Sequence, residues 1–472
     1  MQANTKVSIF YISMLGFALS ILASFWIEHS LSSDALTSTV GTATIVQYLF
    51  AGAFMLLAWR TFPENHNSRR NSSRQKNIFW QVMVLGIVLR LLLIPIDSYT
   101  SSDTTRYLFD GKLAYEGIDP YQTAHDAPEL QSLKEQWAPP EEHAKYATLY
   151  PPLALSLFAI SASAGIEYAP LVWKLIVTFF SILTLLLAAR LLKKMQREHY
   201  LPLIALSPLL ILETGVGAHL DTISAFSILL IIDSLWKKKP IILGICIAIG
   251  TAIKLLPLAL LMPIFVLAIF RRQIAFAFTT AFSTLFGLIV IYGTTFAIGF
   301  KPIGSIGVFF QNWRFGSPLF TYLENNSTSQ VLIISLIALF IFGLAAISAY
   351  LYFSKANPRD KIISAMQYVV ALPLVLSPVI FPWYLMLLAV LVALRPKPWL
   401  LAWILLAPLS YEVLNQFLCC TVWQPELWPL VILAFSVTSI LLLSVNSFIL
   451  SDKQLPVAFT NIMPKIIKRS FS

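Results

Sequence analysis

The sequence predicts an all-α polytopic membrane protein with about 14 transmembrane helices and a large first outer loop. Hydrophobic residues make up 57% of the 472 residues and charged residues only 12%, against roughly 25% charged in a soluble domain. Apolar runs recur from residue 7 to residue 450, and no stretch of soluble-domain size separates them. Basic residues collect in alternate loops, which is the positive-inside pattern of multi-pass proteins.

The formal net charge of +10 could indicate nucleic-acid binding. The basic residues, however, lie between predicted spans, at 60–76, 190–197, 237–239, 271–272, 355–361 and 395–397 and in the tail from 453. Most acidic residues lie in the other loops. We therefore predict no nucleic-acid partner. The three cysteines give no metal-binding spacing and no disulfide framework.

The apolar runs start from a cytoplasmic N-terminus, and the first is interpreted as a retained span rather than a signal peptide. The predicted spans are 7–27, 41–59, 78–96, 170–192, 201–217, 221–236, 240–253, 255–270, 274–298, 331–353, 362–376, 383–394, 399–413 and 428–450. The run at 152–165 is short of the ~20 residues that a span needs, which favours a re-entrant or interfacial helix. We predict one integral domain over 1–472, with an outer loop at 97–169 that contains the re-entrant helix and a second outer loop at 299–330.

The stretch at 97–152 is a polar island between apolar spans, and by parity and charge it lies on the outer face. Within it, Asp103, Arg106, Tyr107 and Asp110 follow helical spacing, so one helix brings them to one side. Two interpretations stay open. Asp103 caps the helix and forms a solvated ion pair, or a carboxylate here acts as a general base that Arg106 orders.

Other candidate residues lie at the outer ends of short predicted spans. His219 and Asp221, in the sequence GAHLD, suit a metal or a sugar hydroxyl, although Asp221 could instead cap the next helix. Lys254 ends a short apolar helix, where an ammonium group either meets an anion or extends to the interface. Arg314, in the second outer loop, is a further candidate for binding a phosphate.

Aromatic residues flank these charges. Trp313, Trp383 and Tyr384 either stack on a sugar ring or a polyprenyl chain, or belong to the aromatic belts found at membrane interfaces. Tyr150 begins the YPP sequence, a stiff turn that could shape a pocket wall. Arg90 lies inside a predicted span, where we expect a buried structural pair partner.

Taken in order, the motifs SSDTTRYLFDGKLAYEGIDPY, YPP, GAHLD, IKLLP, QNWRFGSPLF and SPVIFPWY resemble those of the GT-C superfamily of integral-membrane glycosyltransferases. The resemblance is to the bacterial mannosyltransferase-like branch that uses polyprenyl-phosphate sugars, and it covers residues 97–384. Each motif is loose by itself, and their succession is the more specific signal.

By this resemblance Asp103 is the catalytic base, and Arg106 and Asp110 are its helical companions. His219, Asp221 and Lys254 form the rim that faces donor phosphate and acceptor. Many relatives have two adjacent acids in the first loop, whereas Thr104 and Thr105 follow Asp103 here. A divalent metal therefore stays an open question with no cofactor certain, and Asp97 or Asp110 stays open as a substitute base.

The resemblance implies a hexosyltransferase, mannosyltransferase-like, in the inner membrane of a bacterium with its site facing the periplasm. A hexose, expected to be mannose, passes from a polyprenyl-phosphate donor to a lipid or glycan acceptor by inverting direct displacement. We find no nucleotide-binding glycine motif.

Two other classes stay open. A transporter or flippase for lipid-linked sugars would place paired charges at mid-membrane, whereas here the polar residues collect on the outer side. A ligase of whole oligosaccharides would share the topology and differ only in substrate.

Overall fold

The computed structural model describes residues 2–32, 37–63 and 69–451. Within these ranges the chain is helical and contains no β-strand. The α-helices are α1 (Gln2–Ser32), α2 (Val40–Thr61), α3 (Arg69–Leu92), α4 (Asp103–Tyr115), α5 (Gln131–Trp137), α6 (Pro152–Ala162), α7 (Ala169–Met195), α8 (Pro202–Ala205), α9 (Pro208–Gly215), α10 (Asp221–Trp236), α11 (Pro240–Ile253), α12 (Leu261–Phe270), α13 (Ile274–Ala297), α14 (Ile306–Asn312), α15 (Pro318–Asn325), α16 (Ser329–Phe353), α17 (Pro358–Leu376), α18 (Met386–Leu394), α19 (Pro398–Leu406), α20 (Leu414–Cys420) and α21 (Trp428–Ser451). Short 3-10 helices join some of them, at Pro128–Leu130, Glu141–His143, Glu198–Tyr200, Leu256–Leu260, Pro382–Leu385 and Ala407–Val413.

Six helical segments of the described chain are long and apolar enough to cross a membrane, by length and composition. They are Thr5–Leu31, Val40–Thr61, Ala169–Met195, Ile274–Ala297, Ser329–Phe353 and Pro398–Cys420. Five shorter apolar helical segments accompany them. The predicted class, an all-helical membrane protein, is therefore confirmed, whereas the predicted count of about 14 spans is not.

The predicted span at 201–217 is not one helix but two, α8 and α9. Ser207 and Pro208 interrupt it, and the Ser207 hydroxyl accepts a hydrogen bond from the Leu210 N–H at 3.4 Å. The end of α8 is stabilised by Arg90, whose guanidinium donates to the carbonyl oxygens of Ile204 and Ala205, each at 3.1 Å. Arg90 thus caps a broken helix, and this use explains how an arginine can be buried inside an apolar helix.

Two other sequence expectations need adjustment. Helix α3 begins at Arg69, inside the basic stretch at 60–76 that was predicted to lie between two spans, while residues 64–68 and 452–472 lie outside the described residues. The adjacent cysteines Cys419 and Cys420, for which no disulfide was expected, are bonded to each other.

The interior is formed by predominantly apolar helices. Helices α8, α9, α10 and α18 are almost completely buried, as expected for helices without a continuous polar face. Glu213 in α9 and Asp221 and Asp233 in α10 are the acidic residues among them. By contrast, α16 is almost entirely exposed along its apolar length, which suits a lipid-facing helix. One hydrophobic cluster runs from Phe10 in α1 to Leu433 in α21.

The loop at 97–169 has a hydrophobic core of its own, and this core positions the candidate site. Helix α4 packs on α6, where Tyr107 stacks on Phe158 with ring centroids 4.6 Å apart. Gly111 makes the close approach possible, since a Cβ there would lie 2.3 Å from the Phe158 backbone. The same cluster includes Trp173 of α7 and the turn between α9 and α10. The loop is therefore anchored to the membrane helices around that turn.

Candidate active site

Asp103 lies at the N-terminus of α4 and faces a cavity. It is the first residue of the helix rather than its N-cap, a position that Ser102 occupies. Its backbone N–H bonds to the Ser101 hydroxyl at 3.0 Å, and its Oδ2 accepts a hydrogen bond from the Tyr107 hydroxyl at 3.1 Å. The side chain is 20% exposed. Asp103 is therefore oriented by its own helix and still reachable by a ligand.

His219 is held rigidly in the turn between α9 and α10. Its N–H donates to the Glu213 carbonyl at 2.9 Å, and the indole of Trp173 donates to the Ala218 carbonyl at 2.7 Å. Gly217 is required beside it, because a Cβ there would lie 2.5 Å from the imidazole ring. The ring stacks on Trp383 with centroids 3.9 Å apart. His219 is completely buried, so it does not form an open rim.

The two nitrogens of His219 each face a carboxylate. Nδ1 lies 3.5 Å from Asp103 Oδ2, and Nε2 lies 3.4 Å from Glu213 Oε2. Three elements that are distant in sequence, α4, α9 and the α9–α10 turn, therefore meet at one imidazole ring.

Asp221 and Lys254 form an ion pair beside this group. Asp221 Oδ1 and Lys254 Nζ are 2.5 Å apart. The Asp221 side chain does not cap α10. It forms this ion pair instead of the helix cap that the sequence offered as its alternative role. The ammonium group also lies 4.1 Å from the centroid of the Tyr384 ring, a cation–π contact. Lys254 therefore meets an anion rather than only extending to the interface.

The hydroxyl groups of Tyr107 and Tyr150 are buried next to the charged residues of the site. Burial raises the pKa of Tyr107 well above its usual value, and the negative charges of Asp103 and Asp221 raise it further. Burial and Asp103 likewise raise the pKa of Tyr150, while the positive charge of Arg106 opposes the rise. The Tyr107 hydroxyl therefore stays protonated as a donor to Asp103.

Arg106 is buried in α4 without its full set of hydrogen bonds. Only 2% of the residue is exposed, and its Nε and Nη2 have no hydrogen-bond partner among the described residues. A buried guanidinium with free donors is costly unless an anion binds it. Arg106 is therefore a candidate for binding an anion, and it is not among the residues that line the cavity next to Asp103.

The cavity in front of Asp103 has a volume of about 800 Å³, within the roughly 300–1,000 Å³ typical of ligand pockets. Its polar lining includes residues 98–103 together with Glu142, Lys145 and Tyr146. Its lining also contains the aromatic residues Phe315, Phe381, Phe417 and Trp423. The cavity therefore presents both polar groups and apolar surface to a ligand.

The remaining predicted site residues differ in their relation to this cavity. Trp313, Arg314 and Trp383 line it. Arg314, however, already forms an ion pair with Glu324 at 2.8 Å. Trp383 stacks on both His219 and Phe381, so two protein rings already use the indole surface that was predicted to stack on a sugar.

Asp97 and Asp110 lie apart from the cavity. Asp97 is exposed, and its N–H bonds to Glu28 Oε1 at 2.5 Å. Asp110 is fully buried; its Oδ1 lies 2.7 Å from His125 Nε2 and its Oδ2 accepts from the Thr148 hydroxyl at 2.7 Å. These contacts tie α4 to the outer loop.

Two acidic residues of the site were not predicted. Glu213 could have been found, because a carboxylate within an apolar helix is a functional signal by default. Glu142, which accepts a hydrogen bond from the Ser102 hydroxyl at 2.5 Å, carries no such signal, because it lies in an ordinary polar loop. The described residues contain no cluster of three or more His, Cys, Asp or Glu that could hold a metal ion.

Comparison with known protein families identifies the type of reaction. A family model described as alpha-(1->6)-mannopyranosyltransferase, N-terminal domain, matches residues 6–271, more than half of the chain. The chain belongs to this family. It is therefore an alpha-mannosyltransferase, and the predicted resemblance and enzyme class are confirmed.

The part of the mannosyltransferase that matches the family contains the first outer loop and the α9–α11 region, and so it includes Asp103, His219, Asp221 and Lys254. Trp313, Arg314, Trp383 and Tyr384 lie outside the matched range. No curated protein matches the chain.

Proposed function

We propose that this mannosyltransferase transfers mannose from a polyprenyl-phosphate donor to a lipid or glycan acceptor at the outer face of a bacterial plasma membrane, with Asp103 as the base. The observation that carries the proposal is the cavity in front of Asp103, whose lining combines polar and aromatic residues. Such a site suits a donor in which a sugar is joined to an apolar chain.

The geometry favours Asp103 over Asp97 and Asp110, the two carboxylates that the sequence left open as substitute bases. A general base needs to come within hydrogen-bond distance of the acceptor hydroxyl. Asp103 lines the cavity and is partly exposed, whereas both oxygens of Asp110 are used within the protein. Asp97 lies outside the cavity wall. Of these three carboxylates, Asp103 is the one whose position supports the role of base.

The leaving phosphate needs positive charge, because negative charge grows on it as the glycosidic bond breaks. Arg106 has unpartnered donors beside Asp103, and Lys254 supplies an ammonium group that Asp221 holds in place. Arg314 is a weaker candidate since Glu324 already neutralises it. Arg106 and Lys254 together would stabilise the departing polyprenyl phosphate.

The proposed single displacement determines the stereochemistry of the reaction. The acceptor oxygen attacks the anomeric carbon and loses its proton to Asp103, while the bond to the phosphate oxygen breaks and its electron pair stays on the phosphate. A single displacement inverts the anomeric carbon, so an α-linked product requires a β-linked mannosyl phosphate as donor. The α-(1→6) linkage in the family's description is the linkage we propose for the product.

The proposed orientation rests on the charge pattern. The loops that carry the basic clusters alternate with those that carry the acidic ones, and the positive-inside rule assigns the basic loops to the cytoplasm. The first outer loop at 97–169, with α6 as a re-entrant helix, and the second at 299–330 would then face the periplasm. A hydrophobic cluster with members from α1 to α21 supports a single integral domain over the whole chain.

The test is mannose transfer in membranes supplied with polyprenyl-phosphate mannose carrying a radiolabel in the sugar. We expect D103N to lose about 10³-fold in turnover, because positioned bases contribute roughly 10²–10⁴-fold, with expression unchanged. D97N is the matched control and should keep its activity. Turnover in D103N equal to that of the wild type would overturn the base assignment. Movement of labelled lipid across sealed vesicles without a new glycosidic bond would instead indicate a transporter.

A further inference from the structure

Glu142 is a second carboxylate in the lining of the cavity that contains Asp103, and the reaction as described gives it no role. It is exposed and lies in the 3-10 helix Glu141–His143. Its Oε1 accepts a hydrogen bond from the Ser102 hydroxyl at 2.5 Å, and Ser102 directly precedes Asp103 in the chain. Glu142 is therefore bonded to the neighbour of the proposed base and lines the same space.

The segment from Glu142 to Thr148 is fixed to α4 at two points. The first is the hydrogen bond between Ser102 and Glu142. The second is at Thr148, whose hydroxyl donates to Asp110 Oδ2 at 2.7 Å. Ser102 and Asp110 are separated by about two turns of helix. The segment is thus attached at both ends to the helix that carries Asp103, and the buried Asp110 acquires a use as one of its anchors.

The backbone of the same segment has three further supports. The Ala144 carbonyl accepts a hydrogen bond from the Asp126 N–H at 2.9 Å. The Ala147 carbonyl accepts from the Ser305 hydroxyl at 2.7 Å, and the Thr148 carbonyl accepts from the Ser305 N–H at 3.2 Å. A polar group binds a ligand better when such bonds hold it in place beforehand. These contacts therefore favour a preformed position for Glu142.

Glu142 keeps one carboxylate oxygen free for a ligand. Only Oε1 is used, by Ser102, and Glu142 forms no ion pair with a cation among the described residues. Lys145, a cation in the same lining, has its ammonium group 5.2 Å from the centroid of the Tyr146 ring. An ionised carboxylate accepts hydrogen bonds at both oxygens, and its bonds with hydroxyl groups are strong. Glu142 can therefore bind a hydroxyl group that enters the cavity.

We propose that Glu142 accepts a hydrogen bond from a hydroxyl group of the acceptor that does not react, and so selects a sugar ring as the acceptor. The inference rests on the proposed function of Asp103. A base lies within hydrogen-bond distance of the attacking hydroxyl, so the acceptor occupies the space beside Asp103, where the bond to Ser102 holds Glu142. A sugar ring has further hydroxyl groups near the attacking one. Of the lipid and glycan acceptors left open above, the glycan is the one that uses Glu142.

The acceptor suits Glu142 better than the donor phosphate does. The phosphate is an anion, and a carboxylate that faces it raises its energy by repulsion. A neutral hydroxyl group of the acceptor carries no such cost. Glu142 takes no proton in the reaction, because the attacking hydroxyl loses its proton to Asp103.

The test is E142Q in the purified full-length enzyme, with polyprenyl-phosphate mannose as donor and octyl mannoside as acceptor. We expect the KM for octyl mannoside to rise about tenfold, because a hydrogen bond to a charged group is worth roughly ten- to hundredfold in binding. The kcat and the KM for the donor should stay as in the wild type, since only binding of the acceptor is weakened. Glutamine keeps the size of the side chain and still accepts from Ser102.

The matched control is E141Q. Glu141 precedes Glu142 in the same 3-10 helix and is equally exposed, but it is not among the residues that line the cavity. Its three kinetic constants should equal those of the wild type. An unchanged KM for octyl mannoside in E142Q, or a rise in the KM for the donor alone, would overturn the inference.

A second measurement identifies the hydroxyl group that Glu142 binds. The wild type and E142Q are compared on the 2-deoxy, 3-deoxy and 4-deoxy forms of octyl mannoside. With one of them the wild type should lose about tenfold in kcat/KM and E142Q should lose little more, because both changes remove the same hydrogen bond. The contact is refuted if E142Q shows its full loss with every analogue. A wild-type enzyme that mannosylates neither octyl mannoside nor octyl glucoside would refute the glycan acceptor.

The two proposals fail differently. If D103N is inactive while E142Q behaves as the wild type, Asp103 remains the base and only the role of Glu142 is refuted. If E142Q loses kcat while D103N keeps it, the base is not Asp103 and both proposals fail.

Discussion

The imidazole of His219 lies face to face with the indole of Trp383, with ring centroids 3.9 Å apart and ring planes inclined by 12°. Phe381 also stacks on the indole, at 4.4 Å. Trp383 is thus part of the support for His219 and reaches the cavity as part of its wall. The stack explains how a buried histidine keeps a fixed orientation between two acids.

We expect W383L to lower kcat about tenfold, because His219 loses its stacked neighbour and small misplacements near a reacting centre are costly. The KM for the acceptor should change little. W383F keeps an aromatic face and should retain most of the activity. Steady-state kinetics with both substrates varied checks this expectation. A rise in KM at constant kcat would instead support the sugar-stacking role.

Arg90 and Arg106 are both buried but differ in the number of hydrogen bonds that they make. Arg90 makes four hydrogen bonds, to the Ser181 hydroxyl and to the carbonyls of Gly86, Ala205 and Ile204, whereas two guanidinium nitrogens of Arg106 have none among the described residues. We expect R106M to lose mannose transfer and keep its thermal stability, and R90M to be clearly less stable.

Thermal unfolding in detergent, followed together with transfer activity, distinguishes the two variants. The physical reason is that removing Arg90 leaves carbonyl groups at a broken helix end without donors, at about 1–3 kcal/mol for each buried group. A marked loss of stability in R106M would mean that Arg106 is structural rather than a phosphate ligand.

Lys254 should matter for catalysis more than an exposed lysine that has no contact with the site residues. We expect K254Q to lower kcat/KM about 100-fold, because the departing phosphate loses a positive charge in a site shielded from water. The exposed Lys301 is the matched control, and K301Q should keep nearly full activity. Equal losses in the two variants would point to a general effect of surface charge and contradict the assignment.

The proposed orientation can be checked by labelling introduced cysteines after the three native ones have been replaced by serine. Asp126 and Lys238 are both exposed, one in the first outer loop and one in a basic loop. D126C should react with a membrane-impermeant thiol reagent in intact cells, and K238C only after the cells are opened. The physical basis is the positive-inside rule. The reverse labelling pattern would place the candidate site in the cytoplasm.

Much of the site could be found from the sequence because the relevant signals are local. Helical spacing alone indicated that Asp103, Arg106 and Tyr107 share α4, and the structure begins that helix at Asp103. The cost of an ammonium group in an apolar setting singled out Lys254, which the structure pairs with Asp221. The same reasoning applied to Glu213 would have marked it as well.

Other features could not be read locally. Asp110 lies four residues after Arg106 in α4, and this spacing made it a candidate base. In the structure it is instead buried against His125 and Thr148. That outcome depends on how the outer loop folds back over α4. The break at Ser207 likewise requires Arg90, which lies far away in the sequence and supplies the donors that the end of α8 needs.

The sequence by itself determined that the chain is helical with apolar spans, that its polar residues collect in the stretch at 97–152, and that its motifs follow a glycosyltransferase order. Composition, periodicity and motif order are properties of neighbouring residues, so no fold is needed to see them. Only the tertiary structure decided which charges meet: His219 with Asp103 and Glu213, and Asp221 with Lys254. Buried charges are stable only with a partner, and which partner is close enough is set by the packing of helices that are distant in the chain.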